Sequence, residues 1–316
     1  MRIVFLGSGG FGLNCLNEIM FSQHSLELVV TQPAHGAGRG KKITPTDAAI
    51  WAIAHHIDYV EAENINDTAM IERIKLCKPD LIVVIAFGQK ISPEVINSAK
   101  YKAINVHSSA LPKYRGAAPI NWAIINGETE TGVSIITLAD KMDAGQVLAI
   151  VKTKIEEDET AGQLHDRLAL LAGPLLIKTI DQIENGTAVY QEQDHEKASL
   201  ARKLKKTDGY LDFTQDAETL DRMIRGFWPW PEASTDYINK KTGKCTRVII
   251  AQAEIVKTVN SKYNPGILDD ELNVICGKDC LKILKIKPAG KSVMDFKAFA
   301  NGRSTEPGDF FMKIEK

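Results

Sequence analysis

The sequence has no long apolar run. Its longest uncharged apolar stretch, LIVVIAFG at residues 81–88, is far shorter than the roughly 20 residues that a membrane-spanning helix needs. The first residues, MRIVFLGSGG, are typical of a buried strand and lack the apolar segment and small-residue cleavage site of a signal peptide. We therefore expect a cytoplasmic protein with no membrane partner.

Cysteine is also scarce, and the few thiols are scattered. An odd number of cysteines without an exported context favours reduced thiols over a disulfide framework. The spacing of Cys276 and Cys280 could suggest a metal, but no second pair and no histidine cluster accompanies them. We expect no metal site and interpret this pair as packed residues of a β-rich region. The five cysteines are Cys15, Cys77, Cys245, Cys276 and Cys280.

A strong net charge is missing, since the formal charge at pH 7 is −1. This average conceals two unlike halves. Residues 1–196 carry 17 Lys and Arg against 24 Asp and Glu, a net charge of −7, and residues 197–316 carry 22 against 16, a net charge of +6. Charge alone leaves two interpretations open: a polyanion binds the second half, or its lysines only keep a small β domain in solution.

The order of apolar patterns predicts two domains. Short Val- and Ile-rich runs alternate with helical patterns in the first half, which predicts an α/β fold with a doubly wound, mostly parallel sheet of Rossmann-like type. A capping box at Thr160 and Gln163 precedes a long helix that runs to about Glu184. After WPWP at 228–231 we expect only short strands, forming a smaller OB-like β-barrel. The predicted boundaries are 1–190 for the first domain, 191–206 for a linker and 207–316 for the barrel.

Glycines follow the first strand in a spacing that is typical of dinucleotide sites. Gly7, Gly9 and Gly12 fit the G-x-G-x-x-G pattern, but the second strand ends in VVTQPAHG without the acidic residue that would hold a ribose hydroxyl. The pattern therefore favours a tight strand-to-helix turn. A phosphate or substrate group at the helix N-terminus stays open, and so does the weaker alternative of a nicotinamide-dependent oxidoreductase or nucleotide-binding module.

The segment KAINVH ends a predicted strand with two polar side chains. Asn105 and His107 are two residues apart, so a strand places both on one face, at the edge where open α/β sheets bind ligands. An Asn amide can donate to a developing oxyanion, and a His beside a carboxylate such as Asp143 can move a proton. Structural roles remain open: Asn105 could cap a turn, His107 could be a packed residue, and Asp143 could form an Asx turn before Gly145.

Two motifs resemble those of the 10-formyltetrahydrofolate-dependent formyltransferases. NVHSSALPKYRGAAPI at 105–120 resembles the N-x-H-x-S-L-L-P-x-Y-R-G motif of that family, with Ala110 where the family usually has Leu, and DKMDAGQVL at 140–148 resembles its acidic, Gly-containing element. The resemblance implies Asn105, His107 and Asp143 as catalytic residues. It also implies that 10-formyltetrahydrofolate, as co-substrate, binds along Ser109, Ala110, Leu111 and Pro112, and beside Phe87 and Gly88.

Members of this family use different acceptors, namely glycinamide ribonucleotide, amino sugars or methionyl-tRNA. GAGRGKKITPT at 36–46 resembles the basic loop of the members that act on methionyl-tRNA, while IRGFWPWPEA and LKIKPAGKSVM resemble parts of their C-terminal barrel. We therefore expect initiator methionyl-tRNA as acceptor and a monomer, with an amino-sugar formyltransferase as the alternative. The tRNA-binding residues expected in the loop and the linker are Arg39, Lys41, Lys42, Lys203, Lys205 and Lys206.

Overall fold

The structure is a computed structural model that describes residues 1–37, 42–257 and 262–315. The described chain divides into two compact units, and neither is contiguous in sequence. Unit 1 comprises Met1–Gly116, Thr131–Thr153 and His165–Leu200; unit 2 comprises Ala117–Glu130, Lys154–Leu164 and Ala201–Lys316. The domain boundaries at 190 and 207 stay a prediction.

The strands and helices of the described residues follow in chain order. The strands are β1 Arg2–Gly7, β2 Ser25–Thr31, β3 His35–Ala37, β4 Lys42–Thr44, β5 Tyr59–Glu61, β6 Leu81–Ile85, β7 Ala103–His107, β8 Arg115–Gly116, β9 Glu130–Thr137, β10 Val147–Lys154, β11 Leu200–Ala201, β12 Ala233–Ile238, β13 Cys245–Val256, β14 Val274–Ile275, β15 Cys280–Pro288, β16 Met294–Asp295 and β17 Phe310–Met312. The helices are α1 Leu13–Phe21, α2 Asp47–Ala54, α3 Thr68–Leu76, α4 Pro93–Ile96, α5 Pro119–Ile125, α6 Ala161–Glu184, α7 Ala217–Gly226 and α8 Phe296–Arg303.

Unit 1 is built on a seven-stranded sheet in the order β10-β9-β7-β6-β1-β2-β5. β5, β2, β1, β6 and β7 are parallel to one another, whereas β9 runs antiparallel to β7. The strands are buried on both faces: Val4 and Leu6 pack with Ile71 and Ile74 of α3, and the alternating Phe5 is 1% exposed. The predicted doubly wound, mostly parallel sheet is confirmed.

The long helix α6 begins at the predicted capping box. The Thr160 N–H donates to Gln163 Oε1 over 2.9 Å, and the Gln163 N–H donates to Thr160 Oγ1 over 3.4 Å. These two bonds satisfy backbone donors that the first turn of a helix leaves without partners. The predicted helix start is confirmed.

Unit 2 contains an antiparallel sheet in the order β14-β15-β13-β12-β17, with β16 paired to β15. Bridges from Ile267 to Phe310 and from Leu268 to Val274 nearly close the sheet. The predicted small barrel is confirmed.

One prediction for this region is wrong, because α8 lies where only strands were expected. Phe296, Phe299 and Ala300, three and four residues apart, face the core of unit 2. This short helical period is hidden among strand-like runs, so the apolar residues alone did not reveal it.

Among the described helices, none combines the length and the apolar character that a membrane-spanning segment requires.

The parallel strands β1, β6 and β7 place their carboxyl ends at one edge of the sheet. The register pairs Val84 of β6 with Asn105 of β7, so the segments that follow the two strands, from residue 86 and from residue 108, begin side by side. Edges of this kind are where open α/β sheets bind ligands.

Candidate active site

Asn105 and His107 occupy the carboxyl end of β7. They pair with Ile136 and Ser134 of the antiparallel β9, and the alternation of a strand puts both side chains on one face. His107 is 6% exposed, while Asn105 is partly exposed. Within the described ranges no hydrogen bond holds the Asn105 side chain, so its amide is free to donate to a ligand.

His107 has an oxygen atom close to each ring nitrogen. Its Nε2 lies 2.9 Å from the Tyr114 carbonyl oxygen, and because a carbonyl only accepts, Nε2 carries a hydrogen. Its Nδ1 lies 3.6 Å from Asp143 Oδ2. Because Nε2 donates to the Tyr114 carbonyl, Nδ1 is the ring nitrogen that faces the Asp143 carboxylate.

Asp143 reaches the histidine from the turn between β9 and β10. Its backbone has a φ of +50°, a left-handed conformation that few residues other than glycine adopt. Its Oδ2 also accepts a hydrogen bond from the Gly116 N–H over 2.9 Å. Two residues on, a Cβ at Gly145 would lie 1.8 Å from the Thr137 carbonyl oxygen, so this turn requires glycine there.

The turn after β7 is tied to β9 by Ser134. The Leu111 N–H donates to Ser134 Oγ over 3.0 Å, and Ser134 Oγ donates to the Ser109 carbonyl over 2.7 Å. Ser109 Oγ in turn donates to the Lys113 carbonyl over 2.7 Å. Ser109 and Leu111 are buried, whereas Ala110 and Pro112 are partly accessible.

The segment after β6 forms the neighbouring part of the edge. The Phe87 side chain is 2% exposed, and its carbonyl accepts a hydrogen bond from Gln32 Nε2 over 2.9 Å. Gly88, with a φ of +82°, is exposed. At Gly88 this segment thus exposes backbone groups and no side chain.

The glycine-rich turn after β1 is closely packed. A Cβ at Gly7 would lie 2.5 Å from the Phe5 ring and 2.6 Å from the Ile85 carbonyl, and a Cβ at Gly12 would lie 2.8 Å from the Phe5 ring, whereas Gly9 has open space. Two of the three glycines thus serve packing, in agreement with the interpretation as a tight turn.

The predicted tRNA-binding residues fall into two groups. Arg39 and Lys41 lie outside the described residues, and Lys42 begins strand β4. Lys203, Lys205 and Lys206 belong to unit 2, and all three are exposed.

A buried polar network next to Asp143 was missed by the sequence analysis. Gln193, 6% exposed, donates from Nε2 to the carbonyls of Asp143 and Gly145, each over 2.8 Å. Its Oε1 accepts from Arg115 Nε over 3.1 Å and from the Arg115 terminal nitrogen over 2.7 Å. Gln193 lies in a polar stretch that was assigned to the linker, and no spacing within that stretch distinguishes a buried amide from a solvated one.

One further group among the described residues has the ligand types of a metal site: His24, Asp181 and Glu184 in unit 1. His24 Nε2 lies 3.1 Å from Asp181 Oδ1, and its Nδ1 lies 3.1 Å from the amine of Met1. Both ring nitrogens thus already have protein partners. Cys276 and Cys280 are buried, and burial raises the pKa of the Cys276 thiol to about 12. The expectation of no metal site stays a prediction.

Comparison with known proteins defines the class first. Residues 1–180 match the formyl transferase family, and residues 203–304 match the formyl transferase C-terminal domain. A methionyl-tRNA formyltransferase of Agathobacter rectalis is 37% identical over 315 residues, which cover 98% of this chain and 99% of the relative. The chain therefore belongs to the methionyl-tRNA formyltransferase family, and the resemblance seen in its motifs is confirmed.

Solved structures share the fold at lower identity. HypX from Aquifex aeolicus in complex with tetrahydrofolic acid is 17% identical with a TM-score of 0.65, and the match covers 100% of this chain but 51% of that one. An N-formyltransferase from Helicobacter canadensis, in complex with folinic acid and dTDP-3-aminofucose, is 18% identical with a TM-score of 0.61, covering 90% of this chain and 99% of that one.

Proposed function

We propose that this protein transfers the formyl group of 10-formyltetrahydrofolate to the α-amino group of methionyl initiator tRNA and so supplies N-formylmethionyl-tRNA for translation initiation. The observation that carries the proposal is the site at the end of β7, where a free Asn105 amide lies beside the His107–Asp143 pair. The similarity of both domains to methionyl-tRNA formyltransferase over nearly the whole chain supports the same acceptor.

The transfer forms one carbon–nitrogen bond and breaks another. The neutral methionine amine attacks the formyl carbon, and the formyl oxygen becomes negative as the carbon turns tetrahedral. Asn105 donates a hydrogen bond to that oxyanion, and the His107 Nε2–H, once it leaves the Tyr114 carbonyl, donates a second one. The bond from the formyl carbon to N10 then breaks, and tetrahydrofolate leaves without a covalent enzyme intermediate.

Asp143 has two roles in the proposal. It orients His107, and together with His107 it conveys the proton that the attacking amine loses to the leaving N10, directly or through water. Its hydrogen bond from the Gly116 N–H over 2.9 Å supports this assignment, because that bond holds the carboxylate beside His107.

The folate is proposed to lie along the two segments that follow β6 and β7. Phe87 and Gly88 would offer backbone groups to the pterin ring, and the stretch from Ser109 to Pro112 would form the wall beside it. Gly88 is exposed and has no side chain, and the turn at 109–112 is held by Ser134. Both features suit a preformed pocket for a rigid ring system.

The acceptor RNA is proposed to bind basic groups of the loop and of unit 2. The set comprises Arg39, Lys41, Lys42, Lys203, Lys205 and Lys206. The net charge of +6 over residues 197–316 favours a polyanion on that half. We further propose that the enzyme acts as a monomer in the cytoplasm.

An acceptor test distinguishes this function from an amino-sugar formyltransferase. Purified protein is incubated with 10-formyltetrahydrofolate and either methionyl initiator tRNA or a dTDP-amino sugar, and the formylated product is identified by mass spectrometry. We expect N-formylmethionyl-tRNA and no formylated sugar. Formylation of the sugar alone would replace the proposed acceptor while keeping the formyl-transfer chemistry.

A further inference from the structure

Gln193 is the buried residue that joins the turn carrying Asp143 to Arg115. We propose that Gln193 is a positioning residue for formyl transfer: it holds the Asp143 backbone so that the carboxylate faces His107. This inference rests on the proposed function of the site. Gln193 touches no reacting atom in this account, so it acts through Asp143.

The orientation of the Gln193 amide is determined by its neighbours. A guanidinium only donates hydrogen bonds, so Oε1 must face Arg115, which is 8% exposed. The amide NH2 group then points the other way, to the carbonyls of Asp143 and Gly145. Every contact therefore pairs a donor with an acceptor, and a flipped amide would set donor against donor and acceptor against acceptor.

The two hydrogen bonds from Gln193 hold the turn at Asp143 and Gly145, where its backbone is sterically constrained. Asp143 has the left-handed φ of +50°, a conformation that is uncommon for residues other than glycine and that aspartate adopts more readily than most. Gly145 lies against the Thr137 carbonyl, so the turn cannot shift toward β9. Gln193 binds two carbonyls of the same turn, and a displacement of about 1 Å at a catalytic group is enough to slow a reaction severely.

Two substitutions of Gln193 separate the role of its hydrogen-bond donation from that of its packing. Gln193→Glu keeps the shape and the acceptor that faces Arg115, but it sets a carboxylate oxygen against two carbonyls. Gln193→Ala removes both functions. The matched control is Gln191→Ala, because Gln191 is an exposed glutamine two residues earlier whose backbone, not its side chain, pairs with Val147.

Kinetics give the first readout. We expect both Gln193 variants to lower kcat by about 10- to 100-fold, with the KM for each substrate within about twofold of wild type and with the pH–rate midpoint displaced. A loss of folded protein would instead lower the rate equally at every pH. A wild-type kcat, or a lowered kcat with an unchanged pH profile, would overturn the proposal.

Hydrogen exchange gives a second readout that needs no acceptor. The Gly116 amide is protected by Asp143 Oδ2, so it should exchange faster in both Gln193 variants and at the wild-type rate in Gln191→Ala. Unchanged exchange at Gly116 would overturn the positioning role. If wild-type protein formed no N-formylmethionyl-tRNA, the proposed function would fail, and this measurement would still decide the role of Gln193.

Discussion

At the residue scale, the three polar side chains of the site have different surroundings. His107 is enclosed, with the Tyr114 carbonyl at one nitrogen and Asp143 at the other. Asn105 is partly exposed, and the described residues leave its amide without a partner. Because Asn105 requires no change in its protein contacts to bind an oxyanion, it is the group whose removal should affect catalysis most selectively.

Replacing Asn105 with alanine should slow turnover without unfolding the protein. Loss of one preorganised oxyanion donor typically lowers kcat about 100- to 1,000-fold, and no internal hydrogen bond of the described chain is lost with this side chain. Steady-state kinetics and thermal unfolding measure the two effects. Asn185→Ala, at an exposed position of unit 1, is the control. Near-wild-type turnover of Asn105→Ala would remove Asn105 from the mechanism.

Asp212 of unit 2 gives a prediction for the pH dependence of stability. The Thr214 hydroxyl and the Lys313 ammonium lower the pKa of Asp212 to about 2. Since the unfolded-state pKa is higher, at about 3.9, the ionised carboxylate stabilises the fold above that pH, and the contribution is lost as pH falls toward 2.

The test for Asp212 is the variant Asp212→Asn. The partly exposed carboxylate should be worth on the order of 1 kcal/mol. Urea unfolding should therefore show a lower free energy of unfolding for the variant at pH 7, and the difference should shrink below about pH 4. A difference that stays constant from pH 7 to pH 3 would contradict the linkage.

The placement of individual side chains was predictable where the local backbone geometry determines it. The spacing of Asn105 and His107 on a strand predicts a shared face, and the structure has them there. The contact with Asp143 joins residues 36 positions apart, so it followed from resemblance and not from spacing. Gln193 was missed because burial of a polar side chain depends on tertiary contacts that a hydrophilic stretch does not reveal.

At the element scale, caps and tight turns determine where the helices and the site begin. The Thr160–Gln163 box satisfies donors at the start of α6 by reciprocal bonds. Gly145 lets the β9–β10 turn close over the Thr137 carbonyl, which brings Asp143 to the edge of the sheet. Local chemistry at the ends of elements thus controls both stability and the geometry of the site.

Thr160→Ala should lower the free energy of unfolding by about 1 kcal/mol, the usual cost of losing an N-cap. Gln163→Ala should have a similar, smaller effect. Because the two side chains act together, the double variant should lose less than the sum of the single variants. Urea unfolding of the four proteins measures this, and strict additivity would show that the two side chains act independently.

Helices and strands with a clear local sequence pattern were predictable, and elements that depend on pairing with distant segments were not. The capping box and the strands β13 and β15 were expected from their sequences, whereas α8 was hidden among short apolar runs. The short pair β3–β4 lies in a Gly-rich basic segment, where composition favours a loop. Strands of two or three residues are defined by their hydrogen-bonded partner strand, and the sequence of one segment alone does not predict that partner.

At the scale of the whole molecule, the charge is separated along the chain. An acidic first half carries the candidate chemistry, and the basic second half carries exposed lysines. Each of the two compact units is built from three separate segments of the chain. This division could not be predicted from the order of the sequence, because contacts define such units. The charge separation itself was visible from the sequence.

The variant Lys203→Ala/Lys206→Ala should bind tRNA less tightly and leave folate use unchanged. Each lysine that contacts a phosphate contributes about one unit to the slope of log affinity against log salt, so the slope should fall by about two. KM values for both substrates at several salt concentrations measure this. Lys78→Ala/Lys178→Ala, at exposed lysines of unit 1, is the control. Equal effects of the two double variants would exclude a specific role for the linker lysines.

The proposed acceptor and the basic tRNA-binding surface are tested together by the rate of N-formylmethionyl-tRNA formation as a function of salt. The purified protein is supplied with 10-formyltetrahydrofolate and charged initiator tRNA, and product is followed from low to high ionic strength. We expect rapid formation whose kcat/KM for tRNA falls steeply as salt rises, because phosphate contacts release counterions. Absence of product at low salt, or a rate that does not depend on salt, would contradict this expectation.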